Sequence, residues 1–208
     1  MAIKLVIGII LIIIGFVAFT VIQPMAFLPH EKIVISAPFD KNDPPDGLIP
    51  MGETLFHPKP QVPNGHPGID FGWQHNANIL SSSDGVISYI KQTPEHYNNW
   101  DIGVKNGPYE LRYKELQDYN QSLKVGVKVK KDDFIGHPGH FADHYQLHWE
   151  LASVSLFLDR WCPMSYFDEE SRKTMEDIWA KVPPEASQNM KKQFPDICSG
   201  DYFGKEEK

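Results

Sequence analysis

The segment Tyr145–Leu151 (YQLHWEL) alternates apolar and polar residues without interruption. Successive side chains of a β-strand point to opposite faces, so a period of two predicts a strand with one apolar and one polar face. The apolar face carries Tyr145, Leu147, Trp149 and Leu151, and the polar face carries His144, Gln146, His148 and Glu150. Such a strand needs a core on one side, water or a cleft on the other, and neighbouring strands that complete its hydrogen bonds.

Four other segments alternate in the same way between Gly, Asn and Asp turns, and they begin at Gly85, Trp100, Tyr109 and Val127. Short strands at this spacing predict a mainly β fold, an antiparallel sheet or sandwich. The stretch 37–67 before them is rich in proline and predicts loop structure. With 41% hydrophobic residues the chain can build a core, and its formal net charge of −7 opposes a nucleic-acid partner, which would need a basic face.

An uncharged apolar run, Leu5–Ile22, stands near the start of the chain. As a helix it would be about 27 Å long, close to the hydrocarbon thickness of a bilayer. A cleaved signal peptide is the alternative, but its apolar region is usually only about 7–15 residues, and a cut after Ala26 would leave Pro24 where a small residue is preferred. We therefore expect 1–28 to be a single-pass membrane anchor, with Lys4 cytoplasmic and the following domain outside the cytoplasm.

The pattern changes beyond Trp161, which divides the soluble part into a β domain, 29–160, and a helical C-terminal extension, 161–208. The segment that begins at Asp168 (DEESRKTMEDIWAKV) is acidic at its start and basic near its end, with apolar residues at helical spacing. A second, weaker helix is predicted over Pro183–Phe194.

The two cysteines of the chain, Cys162 and Cys198, both lie in this extension. A compartment outside the cytoplasm permits disulfides, so we expect the two to be bridged. The bridge would close a loop of about 37 residues and stabilise the fold by about 3–4 kcal/mol in the chain-entropy model. Two free thiols or a zinc-binding pair are the alternatives, and no CxxC spacing supports either.

A second polar motif lies in the segment NGHPGIDFG, residues 64–72. Its glycines and proline mark a tight turn that leads into a strand. His66 and Asp70, four residues apart, would share a helix face, but the turn residues exclude a helix, so only the turn can bring the two side chains together. Taken singly, this turn and the strand with His148 are equally compatible with ordinary surface residues.

Together, and in this order, the two segments resemble the lysostaphin-type (LytM-like) zinc endopeptidases, whose signatures are HxxxD and a later strand of HxHxE type. HPGIDFG supplies the first and LHWEL the second. Asp84–Ile87 (DGVI) and the hairpin-like Leu123–Gly136 (LKVGVKVKKDDFIG) match the pieces between them. Biotinyl and lipoyl carrier domains have a similar hairpin, but they need a modifiable lysine in a short signature that is not found in this chain.

The resemblance implies a largely antiparallel sheet of the duplicated-hybrid-motif kind with a groove across one face. It implies one Zn²⁺ per chain, bound by His66, Asp70 and His148, with the fourth position open to water as in catalytic sites. Such an ion acidifies water and polarises a peptide carbonyl. Glu150 would orient a ligand histidine. The implied substrates are peptide cross-links of a cell wall.

The chain departs from the family at two positions, since Gln146 and Glu115 stand where family members carry non-ligand histidines. One hypothesis keeps hydrolysis, with Glu115 as general base, Gln146 as oxyanion donor and His144 as a partial substitute. Another is a catalytically degenerate zinc-binding scaffold or regulator of the envelope, and a third makes Glu115 a metal ligand. We favour hydrolysis slightly, because a site without a catalytic task has little need of an open zinc position. The other histidines, including His57, are interpreted as loop residues.

Overall fold

The structure is a computed structural model that describes residues 32–57, 65–94, 98–154, 160–182 and 190–199. The predicted anchor segment, Leu5–Ile22, lies outside these residues. Within the described ranges no helix combines the length and the apolar character needed to cross a bilayer. Residues Ile33–Lys208 form one compact unit, which the following paragraphs describe.

The described strands form one ten-stranded sheet in which every strand pairing is antiparallel. They are β1 (Gly47–Ile49), β2 (Ile69–Trp73), β3 (Ile79–Leu80), β4 (Gly85–Thr93), β5 (Asn99–Asn106), β6 (Tyr109–Tyr119), β7 (Lys128–Val129), β8 (Phe134–Phe141), β9 (His144–Ser153) and β10 (Arg160–Trp161). The main path runs β1-β2-β9-β8-β6-β5-β4-β7, with β10 added to β9 and β3 to β8. The predicted mainly antiparallel β fold is confirmed.

The apolar face of β9 packs into the core, as its alternation predicts. Leu147, Trp149 and Leu151 are buried, and Trp149 stacks on Phe167 with ring centroids 5.7 Å apart. Burying each of these side chains stabilises the fold by about 1.5–3 kcal/mol relative to exposure. Strand β9 is therefore fixed in position, and with it the direction of its polar face.

Two details differ from the sequence-based expectation. The stretch 37–67, predicted to be loop, contains the short strand β1 in its described part. The segment Leu123–Gly136, which matches the hairpin of the family, does not form a hairpin. Its strand β7 pairs with β4, whereas β8 pairs with β6 and β9. The turn between them is closed locally by the Lys130 backbone N–H, which donates to Asp133 Oδ2 at 2.7 Å.

The C-terminal extension contains a 3-10 helix, Pro163–Ser165, and an α-helix, α1 (Glu169–Lys181). Asp168 caps α1 by accepting a hydrogen bond from the backbone N–H of Ser171 at 2.8 Å, which satisfies one of the free donors of the first turn. The predicted apolar face is buried through Met175, Ile178 and Trp179. Of the weaker predicted helix 190–194 are described, and 190–193 are helical.

The predicted disulfide between Cys162 and Cys198 is present. Next to it, the chain around Cys198 pairs with Met51. The Met51 N–H donates to the Ile197 carbonyl and the Ser199 N–H donates to the Met51 carbonyl, each at 2.9 Å. These two bonds, beside the disulfide, tie the extension to Met51 in the segment 50–57, which precedes the HxxxD turn.

Candidate metal centre

The sheet itself brings two of the predicted ligands together. Asp70 on β2 and His148 on β9 are direct cross-strand partners in the antiparallel register. Directly opposed residues have Cβ atoms about 4.5–5.5 Å apart, within reach for side chains of this size. His66 comes from the turn immediately before β2. These three residues are called the triad below.

Gly68 allows the turn to lie close against β9. A Cβ atom at this position would be 2.4 Å from the carbonyl oxygen of Trp149 and 3.0 Å from Nε2 of His148, so any larger residue would push the turn away. The close approach directs His66 towards the side chains of the two strands. The turn therefore brings His66 and Asp70 together, as the sequence analysis expects.

The ligand atoms of the triad form a small triangle. His148 Nδ1 lies 2.7 Å from Asp70 Oδ1, His66 Nε2 lies 2.9 Å from His148 Nδ1, and His66 Nε2 lies 3.1 Å from Asp70 Oδ1. No placement of protons makes all three contacts hydrogen bonds. One proton leaves a pair of facing acceptors, and two protons leave a pair of facing donors. A cation between the three atoms would satisfy all of them.

Burial and neighbouring charges shift the pKa values of the three triad side chains. Burial would raise the pKa of Asp70, but His66 and His148 hold it well below its usual range, so the carboxylate stays ionised. Burial lowers the pKa of His66 against the opposing attraction of Asp70, which favours the neutral imidazole. For His148 burial alone would lower the pKa, but Asp70 and Glu150 outweigh it and raise the pKa to about 10 without metal.

Glu150 holds the far nitrogen of His148, with Glu150 Oε1 3.0 Å from His148 Nε2. Its carboxylate is fully buried among three cationic side chains: Lys114 Nζ at 3.1 Å, Arg112 Nη1 at 3.6 Å, and Arg160 Nε at 2.6 Å in an ion contact without hydrogen-bond alignment. Burial would raise the pKa of Glu150, but His148, Lys114 and Arg160 hold it well below its usual range. Glu150, at the end of the polar face of β9, is therefore buried in an ion network and is not exposed to solvent.

The triad fits Zn²⁺ by its donor chemistry. Two imidazole nitrogens and one carboxylate oxygen are typical zinc ligands, and a tetrahedral ion with bonds of about 2.0–2.2 Å separates them by about 3.3 Å. The contacts of 2.7–3.1 Å are close to that separation. The contact to Glu150 matches the carboxylate–histidine support common at zinc sites.

His57 also belongs to this cluster, a residue that the sequence interpretation left among ordinary loop residues. A ring nitrogen of His57, one of His66 and a carboxylate oxygen of Asp70 lie within 4.8 Å of one another, so these residues form a group that could hold a metal ion. The only local signal is that Glu53 and His57 stand four apart in GETLFHP, and Glu53 Oε2 contacts His57 Nδ1 at 2.8 Å.

Ring orientation separates His57 from the triad. An imidazole binds a metal in the plane of its ring. The rings of His57 and His66 are nearly parallel, inclined by 16° with centroids 4.1 Å apart, so their planes do not meet at one ion. The rings of His66 and His148 are inclined by 73° with centroids 4.7 Å apart, so their planes cross. This geometry favours His148 over His57 as the third ligand.

The residues that replace the family histidines contact each other. Gln146 Nε2 donates to Glu115 Oε2 at 3.0 Å, and Glu115 has a positive φ of 66° where the pairing of β5 with β6 is irregular. Gln146 and His144 line a groove of about 260 Å³ together with Asp70. His144 Nδ1 lies 3.1 Å from Asp143 Oδ1.

The comparison with known protein families agrees with this arrangement. The sequence profile of Peptidase family M23 matches residues 64–159. No curated protein matches the chain. Among solved structures, Csd3 from Helicobacter pylori is 20% identical with a TM-score of 0.49, over 78% of this chain and 44% of that one, so this chain spans less than half of its length. Lysostaphin from Staphylococcus simulans is 22% identical with a TM-score of 0.47, over 65% and 52%.

The matched range contains the HxxxD turn, the LHWEL strand and the two connecting pieces, in the order that the sequence resemblance requires. It ends just before β10 and leaves the C-terminal extension outside. The resemblance is thereby confirmed: residues 64–159 match Peptidase family M23.

Proposed function

We propose that this protein is a membrane-anchored zinc peptidase of the cell envelope, which hydrolyses peptide bonds in peptidoglycan-type substrates outside the cytoplasm. The observation that carries the proposal is the buried triangle of His66 Nε2, Asp70 Oδ1 and His148 Nδ1, whose contacts protons alone cannot satisfy. The match of residues 64–159 to Peptidase family M23 supports the reaction class.

In this function the triad holds one Zn²⁺ per chain. The ion, when bound, supplies a Lewis acid that acidifies water and polarises the scissile carbonyl. Asp70 contributes the negative charge, and the low pKa that its two histidine neighbours impose keeps it ionised. Glu150 fixes the ring of His148 through the contact to Nε2, so that Nδ1 faces the ion.

The groove beside Asp70 is the expected path of the substrate. Gln146 projects from the same strand face as His148, two residues earlier, and its amide is oriented by Glu115. A side-chain amide in this position can donate to the oxygen on which negative charge develops, an interaction typically worth about 10²–10³ in rate. Glu115 is the proton acceptor suggested by the sequence, and the experiment of the next subsection tests it against a second candidate.

The location of the domain rests on two features of the chain. The apolar run Leu5–Ile22 is long enough for a membrane anchor, with Lys4 before it. The disulfide of Cys162 and Cys198 suits an oxidising compartment. N-terminal sequencing of the native protein tests the anchor, since a mature chain that starts near Phe27 would contradict it.

The test of the function combines metal content with turnover. The purified protein is expected to hold about one zinc per chain, and His66→Ala or His148→Ala should each lose most of it. His75→Ala is the matched control, since this exposed histidine contacts Asp43 away from the triad. Cross-linked wall material and a panel of peptides serve as substrates. Stoichiometric zinc in both triad variants would refute the ligand assignment.

The second candidate function is a zinc-binding scaffold or regulator of the envelope. It is favoured by Glu115 and Gln146, which occupy the positions of the two family histidines. It predicts full zinc occupancy, no cleavage of any wall material or peptide, and no effect of Glu115→Gln on binding of the wall. Measurable turnover that disappears with the triad would exclude it.

A further inference from the structure

We propose that His57, oriented by Glu53, is the proton acceptor of this site. The proposal rests on the peptidase function above and assigns to a loop residue the task of the missing family histidines. The observations that carry it are the Glu53–His57 contact, the stacking of His57 on His66, and the backbone hydrogen bonds that join Gly52 and Glu53 to His66.

Glu53 is fully buried, and its carboxylate is used entirely within its own loop. Oε1 accepts hydrogen bonds from the backbone N–H groups of Leu55 and Phe56, the latter at 2.7 Å, and Oε2 contacts His57 Nδ1 at 2.8 Å. A buried carboxylate without such partners would be strongly destabilising. The loop therefore closes around Glu53 and fixes the ring of His57.

The loop is also joined to the metal ligand His66. The Gly52 N–H donates to the His66 carbonyl and the His66 N–H donates to the Glu53 carbonyl, both at 2.8 Å. Gly65 makes this approach possible, because a Cβ there would lie 2.3 Å from the Gly52 carbonyl oxygen. His57 thus keeps a fixed position relative to the triad.

The contact with Glu53 selects the tautomer of His57. An ionised carboxylate can accept hydrogen bonds but cannot donate them. The hydrogen of this contact therefore sits on Nδ1 of His57, which donates it to Glu53. Nε2 then presents a lone pair. The same arrangement, with a buried carboxylate on one imidazole nitrogen and the reacting proton on the other, positions general bases in other hydrolases.

His57 differs from the triad in exposure. Its side chain is 31% exposed, against 1% for His66, 4% for Asp70 and 9% for His148. The nearly parallel stacking on His66 keeps it from sharing the ion, yet a ring nitrogen remains within 4.8 Å of the ligand atoms of His66 and Asp70. That is the place of a group that contacts a water or a substrate on the open side of the site.

The chemistry balances with water as the only co-reactant. As the water oxygen bonds to the scissile carbonyl carbon, one of its O–H bonds breaks and the proton passes to His57 Nε2. The C–N bond then breaks, and the same proton passes from Nε2 to the leaving nitrogen. The products are a carboxylic acid and an amine, and His57 returns to its starting tautomer.

His57→Phe tests the proposal most directly, because phenylalanine keeps the ring that stacks on His66 and removes both nitrogens. We expect unchanged zinc content and KM, and a kcat lower by about 10²–10⁴. His75→Phe is the matched control, since this exposed histidine contacts Asp43 away from the triad, and it should leave kcat unchanged. A His57→Phe protein with wild-type kcat, or a large loss in Glu115→Gln alone, would overturn the proposal.

Two measurements do not depend on turnover. Long-range ¹⁵N NMR of the full chain should find His57 protonated at Nδ1, and Glu53→Gln should disturb this tautomer. In the cobalt-substituted protein, His57→Phe should shift the pH midpoint of the visible Co²⁺ bands by about one unit, since the hydrogen-bond partner of the water is lost. An unmoved midpoint would overturn the proposal even without turnover. If His57→Phe shifts the midpoint but the wild-type protein cleaves no substrate, the peptidase function is rejected, while the contact of His57 with the water is retained.

Discussion

The site has a strand-borne side and a loop-borne side, and the two are built in different ways. On the strand-borne side, Asp70 and His148 face each other across β2 and β9, and Glu150 extends the same strand face into a network of cations. On the loop-borne side, Glu53 and His57 belong to no strand and are held by hydrogen bonds within their loop. The strand-borne side is fixed by the register of the sheet, and the loop-borne side by a few backbone contacts.

Under the proposal above, the loop-borne side provides a histidine beside the triad where Glu115 and Gln146 stand in place of the family histidines. The sheet register leaves little freedom at positions 115 and 146, whose side chains contact each other. A loop that reaches the ligand His66 from outside the sheet can deliver another side chain without altering that register. Substitutions and changes of pH should therefore affect one side of the site without affecting the other.

Loss of the disulfide should have the largest effect and should fall on the loop-borne side. The double variant Cys162→Ser, Cys198→Ser removes a loop constraint worth about 3–4 kcal/mol, so the Tm should fall by about 10 °C. The pairing of Met51 with the chain around Cys198 loosens with it. Zinc content should persist, while turnover and the His57 NMR signal change. Reduction of the wild type should reproduce these changes, and an unchanged Tm would contradict the prediction.

Gly65→Ala should have the next largest effect. Gly65 has a φ of +81°, and its missing Cβ makes room for the Gly52 carbonyl, so alanine introduces both strain and a clash. We expect a loss of about 3 kcal/mol in the free energy of unfolding and a displaced His57. Gly126→Ala is the control, with a φ of +88° in open space, and should cost about 1 kcal/mol. Equal losses in urea unfolding would show that the loop contact is unimportant.

The strand-borne side was largely predictable from the sequence and the loop-borne side was not. Alternation in Tyr145–Leu151 fixes which side chains share the face of His148, because the period of a strand is two residues. The convergence of His66 and Asp70 follows from the turn that leads into β2, which its glycines and proline mark in the sequence. The approach of His57 depends on hydrogen bonds between Gly52, Glu53 and His66 across the 58–64 segment, and no local pattern encodes them.

The burial of Glu150 escaped prediction for the same reason. The alternation placed it correctly on the polar face, but the cations around it come from β6 and β10. Arg112 and Lys114 lie opposite Glu150 and His148 in the register of β6 and β9, and Arg160 lies on β10. A surface residue and the centre of an ion network have the same sequence pattern. Only the pairing of the strands distinguishes them.

The pH dependence of the metal-free protein should report on the strand-borne side. His148 has its pKa raised to about 10, so its contribution to stability is complete below about pH 6.5 and is lost as the pH rises towards 10. Between pH 6.5 and 9 the Tm of the metal-free protein should fall by roughly 5 °C. Zinc displaces the proton, so the zinc-loaded protein should not show this loss. His148→Gln should flatten the profile, and a metal-free Tm that rises over this range would contradict the assignment.

Gln146→His should have the smallest effect, because it changes the strand-borne side at a position where the amide already donates a hydrogen bond. A histidine restores the family residue and can still donate to Glu115, so kcat should stay the same or rise by up to about tenfold. Gln146→Ala is the control and should lower kcat by about 10²–10³ if the amide stabilises the oxyanion. Zinc content should be equal in all three proteins. If the gain in kcat of Gln146→His persists when His57→Phe is added, the new histidine on β9 can itself accept the proton. If His57→Phe abolishes the gain, His57 remains the proton acceptor.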